Sequence, residues 1–312
     1  KLAAGTATAG QIYSIDSDAT AVALFGAKSQ LRQMCKVYLA NDALTPLYAV
    51  SSAVDSGTAA TGSITWTGTA TEAGQLNMYI GGRRVQVSVA IGDTAAALET
   101  AALAALALVP NDLPVSSAAA TTGVDFTADQ EGTIGNQIML GINLLPGERT
   151  PAGIVPTVVA MASGATDPSY AGVITAMGED QYHTVVSGIS DSTVLGLFNT
   201  EQESRWGPMR SIEGQVFSAS HDTRANLTTL GNSFNSFANS IVGLEKSALM
   251  PLAWEVAAAA AARSARQAQS DPARALTGLA LSGASAAERG NRFTRADRDI
   301  LLSDGISTVK AA

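Results

Sequence analysis

Residues 182–206 read YHTVVSGISDSTVLGLFNTEQESRW, and this stretch decides the fold class. Its β-branched first part predicts a strand at 182–189, and the spacing after it predicts a helix at 191–206 that begins at Asp191. The same alternation continues downstream, with strands predicted at 215–219, 240–244, 276–281 and 306–309 and helices at 222–230, 251–269 and 294–302. Strands separated by helices of this length predict right-handed crossovers and therefore a mainly parallel sheet.

The first 55 residues add a strand-like start, a helix and a second strand, and they fit the same α/β layer. Shortly after residue 165 a further helix is predicted to run to Met177, capped by Asp167 with Pro168 at its first position. We expect Trp206, at the end of the 191–206 helix, to pack under the sheet.

Residues 56–165 have a different texture, which predicts a β-rich α+β domain inserted between the two parts of the core, residues 1–55 and 166–312. Gly81-Gly82 separates two alternating runs and matches a tight hairpin, because both turn positions can take a positive φ. Thr94 or its neighbour Asp93 then begins a helix rich in alanine and leucine. Small-residue linkers tether the insert, so we expect it to be an exposed surface domain.

The composition is globular and poor in reactive side chains. Of 312 residues, 46% are hydrophobic and 15% are charged, and the formal net charge is -8. An acidic surface repels phosphate backbones, so nucleic acid is not an expected partner. The single cysteine, Cys35, excludes an internal disulfide and a cysteine-based zinc site. No apolar run reaches the length of a membrane span, so membrane insertion is not expected.

The two histidines, His183 and His221, are the candidates for catalysis, and neither lies in a recognised nucleophile motif. A core or interface role is the simpler interpretation of His183, and a capping or loop role is that of His221. Gly26-Ala27-Lys28-Ser29 ends like a phosphate-binding loop but lacks the first glycine of that motif. We therefore predict no catalytic, cofactor-binding or metal site, and a protein that is not an enzyme.

Charge is distributed unevenly along the chain. Residues 263–312 hold eight basic and five acidic side chains, whereas residues 1–262 hold 11 basic and 22 acidic ones. Arg292, Arg295 and Arg298 recur every three residues, which predicts one helical stripe, and Asp299 partly neutralises Arg295. Two interpretations remain: a solvated helix face, or a contact surface for an acidic protein partner.

Four motifs carry a family resemblance: RWGPMR at 205–210, LGNSFNS at 230–236, DPAR at 271–274 and RFTRADR at 292–298. Weaker similarities join them in order, such as LFGAKSQL at 24–31 and YIGGRRV at 79–85. Together they resemble the contractile tail sheath proteins of Mu-like bacteriophages, which are related to the sheaths of contractile bacteriocins.

The resemblance implies an α/β sheath core domain, called subtilisin-like for its fold, without a protease site. It implies a structural subunit that forms hexameric rings around a tail tube, exchanges strands with neighbouring copies, and contracts to drive the tube through the host envelope for genome ejection. The implied partners are further copies of itself, the tail tube protein, the baseplate and the tail terminator. The implied location is the virion, after assembly in the host cytoplasm. On this basis Arg292, Arg295, Arg298 and Asp299 are candidates for the contact with the tube.

Two alternatives stay open at this point. The chain can belong to the sheath of a phage-derived contractile bacteriocin or of a secretion system. A different class is a soluble α/β hydrolase with a carbohydrate-binding insert. That reading requires a hydroxyl roughly 3 Å from the imidazole of His183 or His221.

Overall fold

The described residues, 2–52, 57–109, 111, 113–234 and 236–310, form helices and strands that are arranged in four separate sheets in this computed structural model. The strands are β1 (Ile12–Ser14), β2 (Tyr48–Val50), β3 (Ala59–Gly68), β4 (Gly74–Ile80), β5 (Arg83–Val89), β6 (Val115–Ala119), β7 (Gly123–Glu131), β8 (Leu140–Ile142), β9 (Ile154–Ala162), β10 (Thr184–Val186), β11 (Gln215–His221), β12 (Asn239–Leu244) and β13 (Ile306–Thr308). The α-helices are α1 (Asp18–Phe25), α2 (Gln30–Asn41), α3 (Ala95–Ala107), α4 (Ala171–Met177), α5 (Ser192–Trp206), α6 (Arg224–Asn232), α7 (Ala253–Ser270) and α8 (Arg295–Ser303). The predicted boundary between residues 55 and 56 lies outside the described residues.

A four-stranded sheet, in the order β10-β11-β12-β13, organises the C-terminal half, and all its neighbouring strands run parallel. Nearly every residue of β11 is buried, as expected for a central strand that is covered on both faces. Helices α5 and α8 begin at polar caps that the sequence supplies. The Asp191 side chain accepts from the Thr193 N–H at 2.8 Å, and Thr294 and Asp297 form a capping box at α8.

The mixed α/β class predicted from the sequence is confirmed, but a mainly parallel core is not. The other three sheets of the described residues are antiparallel. Strands β1 and β2 were expected in the layer of the parallel sheet, and they pair only with each other, with Ile12 opposite Val50. The α1–α2 helical pair returns the chain so that β2 runs back beside β1, which fixes antiparallel pairing.

The insert contains two antiparallel sheets, β6-β7-β3-β9 and β5-β4-β8, and α3 packs against strands of both. The hairpin predicted at Gly81-Gly82 is confirmed: both glycines have positive φ, and β4 pairs with β5 from Ile80 to Gly74. Trp66 is fully buried, and its indole Nε1 donates to the Ala95 carbonyl at 2.7 Å. The predicted helix cap at Thr94 is also confirmed, since its hydroxyl accepts from Ala97.

The β4–β5 hairpin of the insert packs against the start of α7. A Cβ atom added at Gly82 would lie 2.8 Å from the Met250 carbonyl oxygen, so the backbones meet too closely for a side chain. Next to the turn, Arg83 forms an ion pair with Glu255, whose side chain is 5% exposed. The same Glu255 accepts from the Leu252 N–H at 3.3 Å. A single cluster of buried hydrophobic side chains also extends from the insert into α7.

Two local predictions are wrong. Residues 276–281, expected to be a strand, have no strand structure. Asp167 does not cap α4, which begins after Tyr170. Its carboxylate instead accepts from the N–H and hydroxyl of Thr133, at 2.7 and 2.6 Å. A carboxylate accepts from donors wherever they converge, and here Thr133, at the start of the short helix after β7, offers one backbone and one side-chain donor.

The Arg83–Glu255 pair should contribute measurably to stability. In Arg83→Met the Glu255 carboxylate loses its partner while buried, so we expect the free energy of unfolding to fall by about 2 kcal/mol. Chemical denaturation measures this change. Arg149→Met is the matched control, because Arg149 pairs with Glu72 on the surface and its side chain is 72% exposed. Equal effects of the two substitutions would contradict the role assigned to the buried pair.

Candidate assembly surfaces

The two histidines do not form a hydrolase site in the part of the chain that the structure describes. His221 is 5% exposed, at the end of β11. Its Nδ1 lies 2.9 Å from the Glu245 carbonyl oxygen, and its Nε2 lies 2.8 Å from that of Pro251. His183 is exposed, and its Nδ1 lies 3.5 Å from Gln181 Nε2. Neither imidazole contacts a hydroxyl among the described residues, so the geometry gives the hydrolase alternative no support.

Within the same residues, no cluster of three or more His, Cys, Asp or Glu side chains is placed to hold a metal, and no helix is long and apolar enough to cross a membrane.

His221 joins three segments of the core through its ring. Burial lowers its pKa below the ordinary value of 6.5, and the two carbonyl contacts and the nearby Glu245 carboxylate oppose this shift only in part. A neutral imidazole has one N–H, so it satisfies one of the two carbonyl oxygens. The sequence suggested a capping or loop residue, and the structure shows a buried link between β11 and the segment that leads into α7.

His221 should make stability depend on pH in a defined direction. The pKa of His221 is lowered in the folded state. As pH falls below about 6.5, the unfolded chain therefore binds a proton at this histidine and the folded chain does not. The free energy of unfolding decreases as a result. Urea unfolding should therefore show a larger loss between pH 7 and pH 5, roughly, in the wild type than in His221→Asn. His183→Asn, an exposed matched control, should keep the wild-type dependence. An identical pH profile for His221→Asn would refute this assignment.

A groove of about 710 Å³ with mainly apolar walls lies among the described residues. It lies between the two sheets that the sequence placed in one layer, with α2 and α7 beside it and part of the insert at one end. Its charged or titratable lining is limited to Glu131, His183, Cys35 and tyrosines. The lining includes Met34, Tyr38, Leu47, Tyr48, Val50, Ile134, Tyr182, Thr184, Val186, Phe198, Ala258 and Ala265.

Sheet edges with unused hydrogen-bonding groups flank this groove. On β2, the Leu47 and Ser51 carbonyls accept from Ile15 and Gly10, both at 2.9 Å, so the alternate residues Tyr48 and Val50 turn their backbone groups away from β1. On β10, the His183 carbonyl accepts from Gln215 at 3.0 Å, and Ser187 donates to Phe217 at 2.9 Å. Thr184 and Val186 therefore turn their backbone groups away from β11.

Two polar side chains at the groove also lack partners. The Ser51 hydroxyl and the Gln130 amide oxygen are buried without a hydrogen bond among the described residues. Both residues belong to the groove lining. Buried polar atoms normally have partners, so these two unpaired atoms mark the groove as a candidate contact surface.

The RWGPMR motif forms a rigid corner after α5. The Arg205 guanidinium is buried and donates to the carbonyls of Asp180 and Gly178, at 3.0 and 2.8 Å, which ties the corner to the end of α4. Arg210 donates to Glu179 and Glu201, both at 3.0 Å.

Trp206 does not pack under the sheet, contrary to the sequence-based expectation. It is 43% exposed, and its ring lies 5.0 Å from that of Phe237, which is also exposed. Arg205 occupies the inward position of this helical turn, which rotates the adjacent Trp206 outward. These two rings form an exposed aromatic pair, and Met209, three residues after Trp206, is 94% exposed.

The arginines predicted to contact the tube are not one helical stripe. Arg292 lies before α8, and its Nε donates to the Ala287 carbonyl at 2.8 Å. Arg298 donates to the Phe293 carbonyl at 2.7 Å. Arg295 is 92% exposed, 4.0 Å from Asp299, and it is the member of the set that most fully presents its charge to solvent. Local backbone carbonyls thus engage two of the three arginines.

Residues 163–312 match the family model of the phage tail sheath protein central domain. Over 309 residues, 99% of this chain, the sequence is 32% identical to the Mu-like prophage FluMu tail sheath protein of Haemophilus influenzae, and the chain spans 63% of that relative. The resemblance to tail sheath proteins of Mu-like phages is thereby confirmed.

Two solved structures are also similar to the chain. The sheath tail protein of Desulfitobacterium hafniense has a TM-score of 0.49 and 12% identity, covering 100% of this chain and 67% of that one. The sheath tail protein Lin1278 of Listeria innocua has a TM-score of 0.45 and 10% identity, covering 98% of this chain and 63% of that one.

Proposed function

We propose that this chain is the sheath subunit of a contractile phage tail, a structural component of the virion and not an enzyme. The observation that carries the proposal is the 32% identity to a Mu-like prophage tail sheath protein along 99% of the chain. Copies form hexameric rings stacked around the tail tube. Contraction of this lattice drives the tube through the host envelope for genome ejection, with new contacts between subunits supplying the free energy.

Strand exchange between neighbouring copies holds the rings together as they move. The unused backbone groups of β2 and β10 support this step, because an edge strand is a template for pairing with another chain. The exposed pair of Trp206 and Phe237 is a second contact surface for a neighbour, since exposed apolar patches mark interaction sites. The insert, residues 56–165, faces outward from the lattice.

The surface around α8 contacts the tail tube. Arg295 is its exposed charge, Arg292 and Arg298 flank it, and Asp299 limits the net charge. The baseplate and the tail terminator cover the two ends of the sheath, and assembly takes place in the host cytoplasm. A sheath of a phage-derived bacteriocin or secretion system has the same subunit chemistry, and it is distinguished by particles without a capsid.

Charge reversal on α8 should weaken the contact with the tube. In Arg295→Glu we expect less co-sedimentation with the cognate tube protein, with a deficit that shrinks as salt screens the surface charges. Arg298→Glu should add to the loss. Arg149→Glu is the matched control, an exposed arginine on the insert. If Arg295→Glu co-sediments like the wild type at low salt, the tube contact lies elsewhere.

Electron microscopy tests the proposed function as a whole. Expressed together with its tube protein and baseplate, the chain should form tubes built of stacked six-fold rings. The reason is that a subunit with unpaired sheet edges gains hydrogen bonds by assembling. A monodisperse monomer under these conditions, with bare tubes beside it, would exclude a sheath role.

A further inference from the structure

The exposed aromatic pair of Trp206 and Phe237 adjoins a buried glutamine. Gln202 lies one helical turn before Trp206 on α5, so the two side chains are on the same face of the helix. Gln202 is 1% exposed, and neither its amide nitrogen nor its amide oxygen has a hydrogen-bond partner among the described residues. A buried amide without partners costs free energy, so an incoming group that pairs with it is favoured.

Gly214 connects this glutamine with the aromatic pair. The Trp206 indole Nε1 donates to the Gly214 carbonyl at 3.5 Å, which is a long hydrogen bond. A Cβ atom added at Gly214 would lie 3.2 Å from Oε1 of Gln202, so the amide lies directly beside this glycine. Asn239, two residues after Phe237, also has both amide atoms buried and unpaired within the described part of the chain. We call Gln202, Trp206, Phe237 and Asn239 the aromatic site. Its indole and amides suit a polypeptide backbone, which carries both donors and acceptors.

The aromatic site has acidic neighbours. Glu203 follows Gln202 and Glu213 precedes Gly214, and both glutamates are exposed. Neither of their carboxylates forms an ion pair among the described residues, because the two arginines of the RWGPMR corner pair with other carboxylates. A positively charged segment is therefore the electrostatic complement of this site.

The DPAR motif at 271–274 is an exposed turn with matching chemistry. The Asp271 carbonyl accepts from the Arg274 N–H, and the Asp271 carboxylate accepts from the Ala273 N–H, both at 3.2 Å. These bonds hold the turn in one shape before a partner binds, which lowers the entropic cost of docking. Pro272 and Arg274 are exposed, and the Arg274 guanidinium has no partner among the described residues.

The turn and the aromatic site complement each other in three ways. Aromatic side chains line the surfaces that recognise proline, and an arginine pairs well with carboxylates. The carbonyl groups of the turn are acceptors for amide and indole donors. Arg266 and Arg289 are also exposed, but neither is next to a proline. Within one subunit Arg274 forms no ion pair with Glu203 or Glu213 among the described residues, so the complement is offered to another molecule.

We propose that the DPAR turn of a second copy of this chain docks on the aromatic site. Pro272 of that copy packs against the aromatic pair. Its Arg274 lies between Glu203 and Glu213. This inference rests on the proposed function, and it names the counterpart of the second contact surface. No strand is added to a sheet in this contact. The two surfaces differ, so the contact is head-to-tail and propagates into a ring or a filament.

A charge exchange tests the contact, with self-association of the full chain measured by sedimentation velocity. Arg274→Glu and Glu213→Arg should each weaken self-association several-fold, because each places like charges opposite each other. A chain with both changes exchanges the two charges and should regain most of the lost association. The matched control combines Glu213→Arg with Arg289→Glu, at another exposed arginine, and should not regain it.

Gln202→Met tests the buried amide separately. It removes two unpaired polar atoms from a buried position, so we expect the denaturation midpoint of the isolated subunit to rise. The same change removes groups that bind the docked turn, so self-association should fall several-fold. Gln137→Met is the control, because this amide oxygen on the insert is also buried and unpaired among the described residues. A higher midpoint with unchanged association in Gln202→Met would overturn docking at this amide.

The outcomes separate this inference from the proposed function. Unchanged association in Arg274→Glu overturns the inference and leaves the sheath role intact. Equal recovery in the exchanged chain and in the Arg289→Glu control overturns it too, as does no recovery in the exchanged chain. Circular dichroism spectra identical to the wild type separate loss of association from loss of folding. A wild-type chain that stays monomeric, both alone and with its tube protein, removes the proposed function itself.

Discussion

The structure depends on a constraint of β-sheets: backbone groups at an edge need hydrogen-bond partners, and in this chain two edges face each other across an apolar groove. Tyr48 and Val50 on one side, and Thr184 and Val186 on the other, turn their backbone groups toward it. The buried Ser51 hydroxyl and Gln130 amide oxygen add two unpaired atoms to the same lining. These unpaired groups are the observation on which the proposed exchange of strands between copies rests.

Contacts elsewhere in the molecule hold the walls of the groove in place. Helix α7 forms one wall, and its first turn is held by the Arg83–Glu255 pair and by the close approach of Gly82 to Met250. The insert therefore contacts α7, the helix that also lines the groove. At the other end of the parallel sheet, His221 links β11 to the segment before α7 through two carbonyl contacts. Packing thus fixes the walls of the groove.

The sequence alone was enough to predict those helices and strands whose hydrophobic periodicity agrees with their capping or turn residues. The central strands β11 and β12, the Gly81-Gly82 hairpin and the cap at Asp191 follow from periodicity and turn chemistry. The pairing of strands could not be predicted in the same way, because the periodicity of a strand does not show which other strand it pairs with. This is why β1 and β2 were placed in the wrong sheet, and why 276–281 was expected to be paired. The exposure of Trp206 was missed for a related reason, since the buried Arg205 takes the inward position through tertiary contacts that no local pattern encodes. The groove itself arises between segments far apart in sequence, so only the structure reveals it.

Amide hydrogen exchange, compared between the isolated subunit and the assembled sheath, tests the central claim most directly. The claim is that the edges of β2 and β10 are unpaired until a second copy supplies a strand. The account expects peptides that cover 48–50 and 184–186 to exchange quickly in the isolated subunit and to become protected together on assembly. Exchange at these two segments that is equally fast in the assembled sheath would contradict it.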